Sequence, residues 1–234
     1  KISKTQIYDK FLKKFLLPNF KLLLEILFQG IPASIGLMMI AFGSYILLYF
    51  VSYYGNDAIA GFASAGRYEQ LLFLPLLGLS TAVTSIVGQN LGANKPERIL
   101  ETYKKAIKTG VIILTFVAFF LFFSAELSMR LFTDDEDVIF YGSMYLKIWA
   151  FGFPAFPLFF IPNATFQGLK MAIIVMYMAI IRFVLTPIVV VGLINNFIKE
   201  DYIYMFIGLT TIHWVIGLAY YNYSINKVKK ISFN

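Results

Sequence analysis

The stretch GRYEQLLFLPLLGLSTAVTSIVGQNLGANKPER, residues 66–98, decides the fold class. From Gln70 to Asn94 it runs for 25 residues without Asp, Glu, Lys or Arg. At about 1.5 Å of rise per residue, such a helix outspans the ~30 Å hydrocarbon core of a bilayer. Yet Arg67 and Glu69 stand in its leading half, and it closes on Gly88, Gln89, Asn90 and Gly92. A membrane helix with charges inside it must have somewhere polar to put them.

The rest of the chain agrees with a membrane reading. Its 234 residues are 59% hydrophobic and 14% charged, with 25 Phe and 15 Tyr, more than a single soluble core of this length buries. Mean hydropathy is +0.73. Stretches free of charge also occur at 26–56, 109–125, 148–169, 183–198 and 202–226. A spanning helix needs about 20 apolar residues, fewer if its flanks snorkel. The expected spans are 26–54, 58–88, 106–127, 138–165, 172–196 and 202–224, an all-α integral membrane bundle of six transmembrane helices. It occupies residues 22–226, between a basic segment at 1–21 and a tail at 227–234.

Charge then sets topology. With six spans, both termini and the loops after the second and fourth spans share one side, which collects fifteen of the Lys and Arg residues. The opposite flanks hold Arg130 and Lys199 beside Asp57, Glu126, Asp134, Asp135, Glu136, Asp137, Glu200 and Asp201. The positive-inside rule places both termini in the cytoplasm of a multi-pass cell-membrane protein. The formal charge of +7 is therefore a topology signal and not a nucleic-acid footprint. With no cysteine, no thiolate ligand or disulfide is available, and a single histidine without an Asp/Glu cluster argues against a metal. No nucleophile–base constellation suggests an enzyme, and no cofactor is expected. The first 21 residues do not read as a signal peptide, and a chain beginning with Lys1 reads as part of something longer.

Local signals add detail. In YDKFLKKFLLPNFK, Tyr8, Phe11, Leu12, Phe15 and Leu16 recur at helical spacing with lysines opposite, as in a short helix on an anionic leaflet stopped near Pro18; a plain basic connector fits equally. Gly92 is placed to end the second span, and Asn94 to cap the third, whose first turn holds Pro96 and Glu97. Thr133 or Asp134 is the expected cap of the fourth span. That span contains Pro154, Pro157 and Pro162 and should be bent or broken, while Pro32, Pro75 and Pro187 are kink candidates elsewhere.

Five ionisable groups fall within the spans: Arg67, Glu69, Lys147, Arg182 and His213. Helical rise puts Glu69, Arg182 and His213 roughly 18 Å, and Lys147 roughly 15 Å, from their respective ends, all near the midplane. Each costs about 2.5 kcal/mol or more against lipid, so a shared polar interior is expected. Arg67 and Glu69 sit about 200° apart around a helix and cannot pair along one face; the expected partner of Glu69 is Lys147 or Arg182. A satisfied interhelical ion pair and a hydrogen-bonded core histidine would account for the same residues structurally. Three cations against one acid leave room for further carboxylates from a partner, or for an anionic group.

Taken together, Arg67-x-Glu69, Leu74 to Ser80 (with Pro75 and Gly78) and Gly88 to Ala93 resemble the signature region of the multidrug and toxic compound extrusion (MATE) transporters. FQGIPAS at 28–34, LFTDDEDV at 131–138, FQGLK at 166–170 and RFVLTPI at 182–188 follow in the order of that family's C-terminal half. The resemblance covers residues 22 to 225. It implies one half, the C-lobe, of a twelve-helix, two-bundle transporter, with an N-terminal six-helix half as partner. The implied function is secondary active efflux of small amphiphilic, often cationic, substrates in exchange for H+ or Na+. Some family members carry coupling acids on the helices matching 26–54 and 138–165; here there is none between Ile26 and Asn56 or between Val138 and Gly168. That leaves the proton ahead of sodium by elimination. A lipid-linked saccharide flippase of similar architecture, and a non-transporting assembly module, are the rival readings.

Overall fold

The computed structural model describes residues 19–197 and 201–233. Helix α1 (Phe20–Val51) leads through a 3-10 turn (Ser52–Tyr54) into α2 (Asn56–Gly92), followed by α3 (Pro96–Arg130), α4 (Glu136–Ala150), a second 3-10 turn (Phe153–Ala155) and α5 (Pro157–Gly168). Helix α6 (Ala172–Ala179) widens into a π turn (Ile180–Leu185) and resumes as α7 (Thr186–Phe197), and α8 (Tyr202–Phe233) closes the bundle. Five continuous helical stretches are long and apolar enough to cross a membrane, and α4 with α5, bent by 44°, forms a sixth. The fold is all-helical among the described residues.

Helix ends follow capping chemistry, with shifts from the expected residues. Asn19 accepts from the Lys21 and Leu22 amides and starts α1 six residues before the charge-free run. Residues 1–18, with the expected surface helix and Pro18, lie outside the described residues. Asn94 does not cap α3; it takes the left-handed conformation (φ 53°) in the turn after α2, where the Ala93 amide bonds back to Gln89 at 2.9 Å. Pro96 opens α3 at a position whose N–H would be orphaned anyway. Asp135, not Thr133 or Asp134, caps α4, and Thr133 Oγ1 accepts from the Asp135 amide instead. Across the same corner Arg130 bridges Glu126 at 3.2 Å and Glu136 at 2.9 Å. At the other end of the described residues the last helix runs on past residue 226 into the stretch expected as a tail. Helix α8 continues, buries Val228 and donates from Ser232 Oγ to the Pro96 carbonyl at 2.9 Å.

The prolines act as expected in the fourth span. Pro154 and Pro157 cannot continue an α ladder, so the chain tightens into the 3-10 turn between α4 and α5. Pro187 works differently. Its missing N–H and its ring disturb the bond to residue 183, and the helix takes up the disturbance as the wide turn ahead of it, with Thr186 Oγ1 bonding the Ile181 carbonyl at 2.7 Å.

Packing divides the bundle into two blocks. Helices α2, α3, α4 and α5 pack on one another with α8 behind them, while α1 packs mainly on α6 and the π turn and only lightly on α2. Gly61 allows α2 and α4 to cross closely: a Cβ there would sit 2.8 Å from the Gly142 nitrogen and the Val138 oxygen of α4. Phe116, Phe119 and Phe123 stand exposed along α3, an outer surface that suits acyl chains and not water. Between the two blocks, where α1 stands off from α2, a cavity opens.

Candidate functional site

That cavity holds about 570 Å³. Its wall draws on α1 (Gly43, Ser44), α2 (Arg67, Glu69, Phe73), α4 (Tyr145, Trp149), the start of α5 (Phe156, Phe160), the π turn (Arg182, Phe183) and α8 (His213). Four of the five ionisable groups inside the spans therefore meet around one space.

Lys147 does not join them. It lines a separate groove with Phe122, Phe151 and Trp214, and the reason is angular. Tyr145 and Trp149, one turn apart on α4, share the face toward Glu69, and Lys147 lies midway between them in sequence, about 200° around the helix. Nor is Glu69 in an ion pair. Its carboxylate accepts from Tyr145 Oη and from Trp149 Nε1, the latter at 2.7 Å. The two rings stack at 5.8 Å, which fixes both donors on one target. Among the described residues the ion pairs are Lys105–Glu101 and those of Arg130; none reaches Arg67, Glu69, Lys147 or Arg182. The expectation of a Glu69–Lys147 or Glu69–Arg182 pair is thus corrected: neutral donors hold the carboxylate.

Arg182 is the most enclosed large side chain of the site, 1% exposed. Its guanidinium lies 4.5 Å from the Phe159 ring centroid, 5.1 Å from Phe156 and 5.8 Å from Phe183. Cation–π attraction of this kind is worth about 2 kcal/mol when desolvated. No hydrogen bond reaches Nε, Nη1 or Nη2 from the described residues. The π turn carries Arg182, and Gly43 of α1 admits it: a Cβ at Gly43 would come within 2.5 Å of the Phe183 oxygen. His213 is buried against the Trp149 ring, centroids 5.2 Å apart, with Nε2 unpartnered among the described residues. The neighbouring Trp214 turns away to donate to the Phe151 carbonyl at 2.8 Å. Arg67 extends from the exposed side of α2 to the cavity mouth. No group of three or more His, Cys, Asp or Glu that could hold a metal occurs among the described residues.

A family model described as MatE matches residues 32–191, which covers α1 from its proline through the first half of α7 and so includes most of the cavity wall. The chain belongs to the MatE family. It is 25% identical over 207 residues to the probable multidrug resistance protein YpnP of Bacillus subtilis (strain 168), matching 88% of this chain and 46% of that protein. It is 30% identical over 131 residues to the multidrug export protein MepA of Staphylococcus aureus (strain MSSA476), 56% of this chain and 29% of that one. Among solved structures, a MATE in complex with MaL6 superposes with a TM-score of 0.87 at 21% identity, over 93% of this chain and 49% of that one. An outward-facing multidrug resistance MATE family transporter of the MOP superfamily gives 0.88 at 21% identity, over 94% and 50%. The matches thus span 29% to 50% of the length of these relatives, and the matched half of the two solved structures has the fold of this chain.

Of the α2 residues that carry the resemblance, Arg67, Glu69 and Leu74 line the cavity, while Pro75, Gly78, Gly88, Gln89, Asn90 and Gly92 do not. Pro75 and Gly78 are exposed on the same helix, and a Cβ at Gly78 or Gly92 would meet nothing within 4 Å. Asn90 Nδ2 bonds the Ile86 carbonyl at 2.8 Å and the Lys95 amide returns to the Asn90 oxygen at 2.9 Å, so the amides finish the helix and shape its turn. Gly78, Thr81, Ala82, Ser85 and Gln89 form one exposed, small and polar face of α2. Sequence reasoning missed Tyr145 and Trp149 as the groups that position Glu69; two hydrogen-bond donors four residues apart on an apolar helix were the available signal.

Proposed function

We propose that this chain is the C-terminal six-helix half of a secondary active efflux transporter, which exchanges a cation for amphiphilic, often cationic, compounds by alternating access. One observation carries the reading: Glu69, a carboxylate within a spanning helix, borders a cavity of about 570 Å³ and is held by neutral donors alone. A carboxylate locked to a cation is fixed in its charged form. One held by a tyrosine and a tryptophan can bind and release a cation as its surroundings change. The aromatic wall of Phe73, Phe156 and Phe160 suits varied apolar cargo. The small polar face of α2 suits a water-filled space shared with an N-terminal half. Proline-bent α4–α5 and the π turn supply places where the bundle can rearrange. The relatives named as multidrug resistance and export proteins support efflux as the direction of work.

The lysine excess near both ends supports a cytoplasmic position for both termini of this chain in the cell membrane. The proton is the expected coupling ion, because residues 26–56 and 138–168 carry no acid to complete a sodium site. The test is reconstitution, in the form in which the cell makes the protein, into vesicles loaded with a fluorescent organic cation. An imposed pH gradient should drive counter-movement of the dye, and a sodium gradient alone should not. Dye movement indifferent to both gradients contradicts the proposal.

A further inference from the structure

The charge around the cavity is lopsided. Arg67 and Arg182 line it against Glu69, whose oxygens are already taken up by Tyr145 and Trp149. Arg182 is 1% exposed, and His213 beside it 6%, yet neither the guanidinium nitrogens nor His213 Nε2 has a hydrogen-bond partner among the described residues. Cation–π contact with Phe156, Phe159 and Phe183 engages the flat face of the guanidinium. It leaves the edge donors unsatisfied, and those donors form the rigid fork that fits an oxyanion through two parallel bonds. The chain presents this fork on a π turn, a rare distortion that is frequent at functional sites.

We propose that Arg182, with His213 alongside, is an oxyanion subsite of the cavity that takes the carboxylate, sulfonate or phosphate of an aromatic amphiphile. The anionic group seats against the guanidinium edge while the aromatic body lies along Phe73, Phe160 and Trp149. A simple organic cation would meet two like charges here. A zwitterion instead finds both a carboxylate and a guanidinium on the cavity wall, so the subsite extends the substrate class to anionic and zwitterionic amphiphiles. The three phenylalanine rings cover the guanidinium in this conformation, and entry of the anion displaces Phe183, the half-buried ring on the same π turn. Transport of the occupant rests on the efflux reading above; its binding does not.

The experiment is a fluorescence titration of the protein, in the form in which the cell makes it, in phosphatidylcholine nanodiscs. The probes are pyrenebutanoate and its methyl ester, alike in the ring and unlike in charge. The acid should bind at least about tenfold more tightly than the ester, a difference of about 1.4 kcal/mol. Arg182→Met should erase the preference while leaving the ester's affinity unchanged, and Arg182→Lys should retain part of it. Lys147→Met, which alters a cation outside the cavity, should leave the preference intact. Should Arg182→Met fail to fold, competition in the unaltered protein decides: benzenesulfonate should displace the acid and spare the ester. Adding phosphatidylglycerol separates the sources of the anion. Loss of acid binding in the unaltered protein but not in Arg182→Lys marks a lipid headgroup as occupant, and no change marks a free amphiphile. Equal affinity for acid and ester, or a preference that survives Arg182→Met, overturns the proposal, and either result stands even where gradient-driven efflux succeeds.

Discussion

Replacing Glu69 by Gln lowers gradient-driven dye efflux by about tenfold or more, the scale of a lost coupling free energy, and leaves the folded bundle in place. The side chains are nearly isosteric. The amide oxygen of the substituted side chain can still accept from Trp149 Nε1, and its NH2 group can turn to Tyr145 Oη, because a hydroxyl accepts as well as donates. The stability cost is then a rearranged hydrogen bond, about 1 kcal/mol. What disappears is the one carboxylate that the described residues place on the cavity wall, and with it the exchange of cation occupancy for substrate occupancy. Efflux of a fluorescent cation from cells, beside the melting temperature of each purified variant, separates the two effects. Glu101→Gln is the matched control, since Glu101 pairs with Lys105 on the exposed end of α3. Unchanged efflux in Glu69→Gln would remove Glu69 from the coupling role and leave it a structural brace.

The second large effect is on folding. Gly61→Ala should destabilise the bundle by about 3 kcal/mol or more, and Gly61→Leu should yield no monodisperse protein. The new Cβ would lie 2.8 Å from backbone atoms of Val138 and Gly142, and a helix backbone cannot shift locally without moving α4 as a whole. Gly142→Ala tests the same crossing from the other side and should cost less, because the atoms it strikes first are the flexible end of Met129. Gly78→Ala on α2 should be neutral or stabilising by up to about 1 kcal/mol, the helix-propensity gain where nothing lies within 4 Å. Size-exclusion profiles and melting temperatures in detergent rank the four variants. Gly61→Ala melting with the parent would mean that α2 and α4 do not cross as described.

How much of this the sequence carried depends on which force set each feature. The spans were legible because exclusion of charge over 16 or more residues leaves few alternatives. The break between α4 and α5 was legible because Pro154 and Pro157 have no N–H to give. The cost of Glu69, Lys147, Arg182 and His213 at one depth led to the expectation of a shared polar interior; Glu69, Arg182 and His213 line one cavity and Lys147 does not. The partner of Glu69 did not follow. Depth says nothing about azimuth, and Lys147 shares the level but lies on the far side of α4 from Tyr145 and Trp149. An expectation drawn from Coulomb attraction alone also passed over neutral donors, which hold a carboxylate in a membrane without a second desolvated charge. The π turn was hidden for another reason: IIRFVL contains neither Gly nor Pro, and its cause, Pro187, lies beyond it. Caps moved by single residues, since Thr133, Asp134 and Asp135 can all accept from a first turn and the corner made by Arg130 and Glu136 selects among them.

The account stands on charged side chains of three helices surrounding one water-reachable space inside the membrane. These 234 residues contain no cysteine, so a single cysteine introduced among them is the one thiol of this half. A hydrophilic, membrane-impermeant maleimide should label Ser44→Cys and Ala63→Cys on the cavity wall, and Arg67→Met should alter the rate at Ala63. It should not label Phe116→Cys or Phe123→Cys on the outer face of α3. Labelling of the α3 positions, with Ser44→Cys and Ala63→Cys inert, would contradict the cavity and everything assigned to it.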